Sequence, residues 1–195
     1  RWRTLFVVAI AQLMIVLDSS IMNIAIPSAK VELGISDANQ QWVITAYTLA
    51  FGSLLLLGGR IGDYMGRKKI FLIGLMGFAA ASALGGIASN QELLFASRAL
   101  QGVFAALLAP AALSIISVTF TVPAERAKAF GVIGAISGGG AAIGLILGGA
   151  LTEYASWRWC LGVNTPIAVG AAILAIKFVH ESKAQGDSTY DIPGV

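Results

Sequence analysis

Six stretches of the chain, near residues 4–26, 42–61, 70–88, 93–118, 128–151 and 159–179, are almost free of charge. Each runs for about twenty residues or more, the length a helix needs to cross the hydrocarbon core of a bilayer. Inside that core a backbone N–H or C=O finds no water, so segments of this length cross it as helices that pair their own backbone. Composition points the same way. Of the 195 residues 57% are hydrophobic and 12% charged, whereas a soluble helical domain needs a polar face on each helix. The expected fold class is an all-α polytopic membrane protein with six transmembrane helices, residues 1–180 forming the bundle.

Short polar breaks at 30–41, 62–69, 89–92, 119–127 and 153–158 separate the spans, and an even number of spans puts both ends of the chain on one side. Arg1, Arg3, Arg60, Arg67, Lys68, Lys69, Arg126, Lys128, Lys177 and Lys183 fall on that side, against Lys30 and Arg158 on the other. By the positive-inside rule the termini are cytoplasmic, in a multi-pass protein of the cell membrane. The polar stretch 181–195 reads as a cytoplasmic linker, with Ile192 to Val195 opening whatever follows. The chain starts at Arg1, and its first apolar run is too long for a cleaved signal peptide. It is expected to be a fragment that starts just before a true span.

Several function classes fall away. The net charge is only +3, and no basic face or aromatic platform tracks a phosphate backbone, so nucleic acid is not an expected partner. Cys160 is the single cysteine, which leaves no CxxC motif, and it reads as a small packing residue. His180, the single histidine, reads as a solvated residue at the end of the sixth span. With no Ser-His-Asp or His-Glu cluster and no phosphate-binding loop, neither an enzyme nor an ATP-driven pump is expected, and no metal or cofactor.

Asp18 and Arg98 are the formal charges well inside the predicted spans. Each costs at least about 2.5 kcal/mol at a helix centre, so each needs a reason. At about 1.5 Å per residue, Asp18 lies about 13 Å inward from Pro27 and Arg98 about 9 Å inward from Glu92, at similar depth in the outer half. Both are expected to face the bundle interior, as an ion pair or around a shared water-filled cavity. One reading is a structural pair that orients the first and fourth helices. The other is proton coupling: burial favours a neutral carboxyl and a nearby guanidinium favours a charged one, so moving Arg98 relative to Asp18 loads and unloads a proton. Ionisable groups inside spans are functional by default, which favours the second reading. Three spans followed by three more is also the arrangement of inverted-repeat transporters, whose first and fourth helices are equivalent.

Four motifs carry a family resemblance. LDSSIMNIAIP, Leu17 to Pro27, resembles the first-helix motif of the fourteen-span drug:proton antiporters of the major facilitator superfamily. GRIGDYMGRKK resembles that superfamily's loop motif at Gly59, Asp63, Gly66, Arg67 and Lys68. Its chemistry is legible by itself: Gly59, Gly62 and Gly66 allow a tight reversal and close helix approach, and Asp63 is suited to accept backbone N–H bonds near a helix start. The resemblance implies that the loop latches two halves of the fold and controls their rocking. RALQGVFAA resembles the motif whose arginine is associated with proton coupling, a role thereby implied for Arg98. Gln101, about one turn on, either shares that cavity or makes an interhelical hydrogen bond.

GVIGAISGGGAAIGLILGGAL, from Gly131, resembles the family's glycine-rich antiporter motif but has Leu145 where the family has proline, so the expected kink is absent or weaker. Gly140, Gly144 and Gly148, at four-residue intervals, form a smooth seam for close helix packing. WRWCLGVNTP resembles the entry into the sixth span, with Trp157 and Trp159 assigned to the interface belt.

The resemblance implies a 3+3 inverted repeat, half of a major facilitator fold, in the N-terminal half of a secondary transporter. It implies export of drugs or other small organic compounds in exchange for protons, with the proton gradient as energy source. A C-terminal half or a second copy would complete the pathway, alongside the lipid bilayer, the substrate and protons as partners. The second and fifth helices would face the opposite half, which makes Tyr47 and Thr48 of the second span candidate substrate-cavity residues alongside Gln101 near Arg98, with interface anchoring the role favoured for Trp42. The alternative is a non-transporting helical module or sensor that assembles with a partner chain.

Overall fold

The computed structural model describes residues 1–183, and all six predicted spans are helical in it. The helices are α1 (Trp2–Leu33), α2 (Trp42–Met65), α3 (Arg67–Gly86), α4 (Gln91–Thr119), α5 (Pro123–Tyr154), α6 (Trp157–Gly162) and α7 (Asn164–Phe178), the last two making up the sixth span. No strand occurs among the described residues. The linker expected at 181–195 lies outside the described residues from position 184 on.

Local chemistry sets the helix ends. Asn90 caps α4 by accepting the Leu93 N–H at 2.8 Å, and Glu92 sits in the positive first turn. Pro123 opens α5, where its missing N–H would have had no helical partner. The first helix runs past Pro27, well beyond the predicted end near 26, and stops at Gly34 in the left-handed conformation (φ 63°). Proline removes one backbone bond, and the helix continues through it with Ala25 and Ala29 buried on either side. The sixth span runs from Trp157 to Phe178, with its backbone ladder interrupted at Val163, which keeps helical angles (φ −63°, ψ −26°). Pro166 has no N–H to offer the Gly162 carbonyl, so the helix is interrupted there.

Packing follows an exchange between two three-span units. The second span of each lies along the first span of the other: α2 packs on α4, and α5 on α1, while α3 packs on α4 and α7. At the α2–α4 crossing the Ala106 carbonyl, left without a helical donor by Pro110, faces Gly58. A Cβ at Gly58 would overlap that oxygen, so only glycine lets the two backbones approach this closely. One apolar cluster gathers Val7, Met14, Phe71, Ala105 and Leu108, and another Ile21, Leu94, Trp157 and Leu161. Asp18, Arg98 and Gln101 fall between them along α1 and α4.

The bundle has two unlike ends. At one, Arg1 pairs with Glu125 at 2.7 Å and Thr4 Oγ1 donates to the Phe178 carbonyl at 2.9 Å, joining the N-terminus to the start of α5 and the end of α7. At the other, Arg158 pairs with Glu32 at 2.8 Å and Trp157 Nε1 donates to the same carboxylate at 2.6 Å. Trp157 is buried there, which corrects its assignment to the interface belt: its indole N–H is committed to Glu32. Trp159 is exposed. Only 17% of the apolar window of α2 and of α5 is buried, against 39% or more in the other spans. These two helices present the unpartnered face of the bundle.

Candidate functional site

Asp18 and Arg98 meet in the middle of the bundle, each with about 1% of its surface exposed. Arg98 Nη1 donates to Asp18 Oδ2 at 2.7 Å. Burying both charges is tolerable only when their remaining donors and lone pairs are matched, and the neighbouring helices supply the matches. Asp18 Oδ1 accepts from Gln101 Nε2 at 2.9 Å and from Asn164 Nδ2 at 2.7 Å. Arg98 Nε donates to the Val43 carbonyl at 3.0 Å, and Nη1 also to Gln101 Oε1 at 2.8 Å. One turn on from Val43, Tyr47 places its ring 4.6 Å from the guanidinium carbon, a cation–π contact in a water-poor setting. Ser82 of α3 closes the network by accepting from Gln101 Nε2 at 2.7 Å. Thus α1, α2, α4 and α7 meet at one carboxylate and its guanidinium, and α3 joins them through Gln101.

Of the residues assigned to a substrate cavity, Gln101 and Tyr47 are both buried. Their polar and aromatic faces are engaged by the ion pair, and Gln101 makes the interhelical hydrogen bonds that were its second reading. Thr48 is exposed and its hydroxyl donates to its own helix, to the Ile44 carbonyl at 3.0 Å. The open space lies elsewhere. A cleft of about 660 Å³ between α1, α2, α4 and α5 is lined by Gln12, Phe51, Gly59, Pro110, Ile133 and Ser137 among others. Gln12 donates to Ser137 across it at 3.2 Å. Sequence reasoning passed over Gln12, Ser137, Ser82 and Asn164. The available signal was the same for all four: an uncharged polar side chain within an apolar run.

At the α2–α3 turn Gly66 takes φ 113°, a conformation that L side chains avoid. It alone of the three motif glycines needs its identity for the backbone, since a Cβ at Gly59 or Gly62 would meet only ordinary contacts. Asp63 lies in the last turn of α2 and accepts from Arg67 Nε and Nη2, at 3.1 and 2.9 Å. It does not take the free N–H groups at the start of α3, as the sequence suggested. Glu181 takes them: its carboxylate accepts from the Lys68 and Lys69 N–H at 3.0 and 3.1 Å. Ser182 O accepts from the Arg67 N–H at 2.9 Å, and Lys68 Nζ donates to the Ile176 carbonyl at 2.8 Å. The basic loop is therefore strapped to the exit of the sixth span. A Cβ at Gly66 would stand 2.7 Å from a Glu181 carboxylate oxygen, so the strap also requires glycine there.

The glycines of α5 face α1. Cβ atoms added at Gly140, Gly144 and Gly148 would lie 3.0 Å from Leu13 Cδ1, 2.6 Å from Ser20 Cβ and 3.1 Å from Ile21 Cα. Leu145, next to this seam, is half exposed, and α5 runs through it without a break.

The Major Facilitator Superfamily model matches residues 8–192. The puromycin resistance protein pur8 of Streptomyces alboniger is 57% identical over the whole of this chain, which covers 39% of that protein. The probable actinorhodin transporter of Streptomyces coelicolor is 40% identical over the whole chain and 34% of its own length. The multidrug efflux pump LfrA of Mycolicibacterium smegmatis is 36% identical over 97% of this chain and 38% of its own length. The chain thus spans well under half of each of these relatives. Its fold is shared with a crystal structure of the peptide transporter POT in complex with sulfate, with TM-score 0.80 at 16% identity over 90% of this chain and 37% of that one. A six-span helical bundle, a match along almost its whole length and relatives at these identities carry one conclusion: the chain belongs to the major facilitator superfamily.

Proposed function

We propose that the chain is one half of a proton-coupled exporter of small organic compounds, with both of its termini on the cytoplasmic side and its spans in the cell membrane. The observation that carries this reading is the Asp18–Arg98 pair, 2.7 Å apart and sealed from solvent inside a six-span bundle. A carrier that exchanges protons needs a buried group whose charge depends on its neighbours, and Asp18 accepts hydrogen bonds from three donors, one of them cationic. When Arg98 withdraws as the bundle rocks, the carboxylate is left buried without its counter-charge, and proton uptake restores neutrality. Return of Arg98 expels the proton. The basic loop and its strap to Glu181 bear on that rocking, because they join the α2–α3 turn to the exit of the sixth span.

The substrate face is the cleft on α1, α2, α4 and α5. Its lining is largely apolar, with the Gln12–Ser137 pair and the charged Arg60 and Asp63, which suits a lipophilic compound bearing a few polar groups. The unpartnered faces of α2 and α5 need a second set of spans, from a C-terminal half or another copy, to enclose it. The names of the relatives make puromycin the first compound to test. In vesicles containing the complete carrier, Asp18→Asn and Arg98→Ala abolish pH-gradient-driven puromycin movement while the wild type sustains it. Undiminished gradient-driven movement in both variants would sink the proposal.

A further inference from the structure

Asn164 is fully buried at the start of α7, beside the break in the sixth span. Its Nδ2 donates to Asp18 Oδ1 at 2.7 Å, while its Oδ1, equally sealed from solvent, has no hydrogen-bond partner among the described residues. A buried amide oxygen left unpaired is costly and calls for an explanation. Gln101 is the instructive contrast. Its Oε1 accepts from Arg98, and its Nε2 donates to Asp18 and to Ser82. Turning that amide over would set an NH₂ group against the guanidinium, so its orientation is fixed at both ends. The Asn164 amide is fixed at one end only.

The difference matters when Asp18 becomes neutral. Both carboxylate oxygens face donors in the charged state, and a carboxylic O–H needs an acceptor instead. Gln101 Oε1 stays committed to Arg98 until the guanidinium withdraws. Asn164 has an acceptor to spare: half a turn about its Cβ–Cγ bond exchanges Nδ2 for the idle Oδ1 at the same place, because the two ends of an amide are alike in size.

We propose that Asn164 is a positioning residue for proton carriage, its NH₂ donating to the Asp18 carboxylate and its C=O accepting from the Asp18 acid after the amide turns over. The inference rests on the reading of Asp18 as the proton carrier. The proton comes from water when the site opens, resides on Asp18 Oδ1 and leaves by the reverse path; only hydrogen bonds are exchanged at Asn164. The groups facing Asp18 allow this. Arg98 on α4 and Tyr47 on α2 are the charged and titratable ones. Across α3 and α7 the polar neighbours are Ser82 and Asn164, α5 presents its glycine seam, and the α6 thiol of Cys160 turns toward Thr152.

Infrared difference spectra of the complete carrier between low and high pH test the exchange, with Asp18→Asn identifying the Asp18 carboxylic C=O band. Asn164→Leu moves that band to higher wavenumber, since the acid loses its acceptor, and slows proton-driven export on the order of tenfold, as expected for one lost hydrogen bond to a charged group. Asn164→Ser, whose hydroxyl rotates between donor and acceptor, brings both back toward wild type. An Asp18 band at the same wavenumber in Asn164→Leu overturns the proposal, because an amide that only braces the carboxylate leaves the acid unaffected. If the leucine variant does not fold, ¹³C-labelled asparagine in the otherwise unaltered carrier gives the same answer. The exchange produces a pH-dependent side-chain carbonyl band that is missing from Asp18→Asn and Asn164→Ser, and its absence in the wild type contradicts the proposal. A carrier that transports with no Asp18-dependent carboxyl band at any pH instead overturns the proton-carrier reading beneath it.

Discussion

Bringing Asp18 and Arg98 together at 2.7 Å strips two charges of water, a cost that their mutual attraction offsets only with full hydrogen bonding. The stability consequence is asymmetric. Arg98→Leu leaves a buried carboxylate without its counter-charge, at a cost of about 3–5 kcal/mol, whereas Asp18→Leu with Arg98→Leu removes both charges and costs less. Thermal unfolding of the complete protein in detergent is therefore expected to rank the double variant above the Arg98→Leu single variant; the reverse order would mean that the pair is not a closed unit. At this scale the sequence was informative where chemistry is expensive. Two formal charges within apolar runs could be assigned to the interior because hydrocarbon tolerates few alternatives. Uncharged polar residues are cheaper to bury, so Asn164 and Ser82 sent no comparable signal, and Gln101 left a choice that depended on distances across helices. For Tyr47 the resemblance implied a place on the second helix, and nothing in the sequence showed that a guanidinium from another helix lies against its ring.

Among the elements, α5 and α1 are joined by a seam whose tolerance differs along its length. At Gly144 an added Cβ would meet the rigid Ser20 Cβ at 2.6 Å; at Gly148 it would meet Ile21 Cα at 3.1 Å; at Gly140 it would meet the ends of the Leu13 and Val16 side chains, at 3.0 and 3.1 Å. Overpacking costs typically about 1–3 kcal/mol. Gly144→Ala is expected to lower the unfolding temperature most, Gly148→Ala less and Gly140→Ala least, and equal effects at all three would argue that the helices separate freely. The strap on α3 makes a second prediction. Glu181→Ala releases the Lys68 and Lys69 N–H groups, so hydrogen exchange at the start of α3 should accelerate while the Asn90-capped start of α4 is unchanged. Unaltered exchange at Lys68 and Lys69 would contradict the strap. The existence of the helices was legible from apolar length alone. Their ends were less so: α1 continues through Pro27, and the backbone ladder of the sixth span is interrupted before Pro166, because a proline's effect depends on what packs around it. The Glu181 contact was hidden by its separation of more than a hundred residues from the loop.

For the whole molecule, the pairing of α2 with α4 and of α5 with α1 leaves the second span of each three-span unit exposed on one face. That arrangement joins the buried network to the cleft, since α1, α2 and α4 contribute to both. Under the proposed function, a substrate on the cleft and a proton on Asp18 would act on the same helices, as exchange requires. The six-span layout followed from charge-free runs and from the bias of Lys and Arg toward alternate connections; which helices touch did not, since no periodicity in a helix that is apolar all round singles out its packed face. The most direct test of the coupling is the proton released when puromycin binds to the purified, complete carrier in weakly buffered solution. Binding to the wild type is expected to release protons, whereas Asp18→Asn is expected to bind puromycin and release none. Proton release of the same size from Asp18→Asn would contradict the role of Asp18 as the proton carrier.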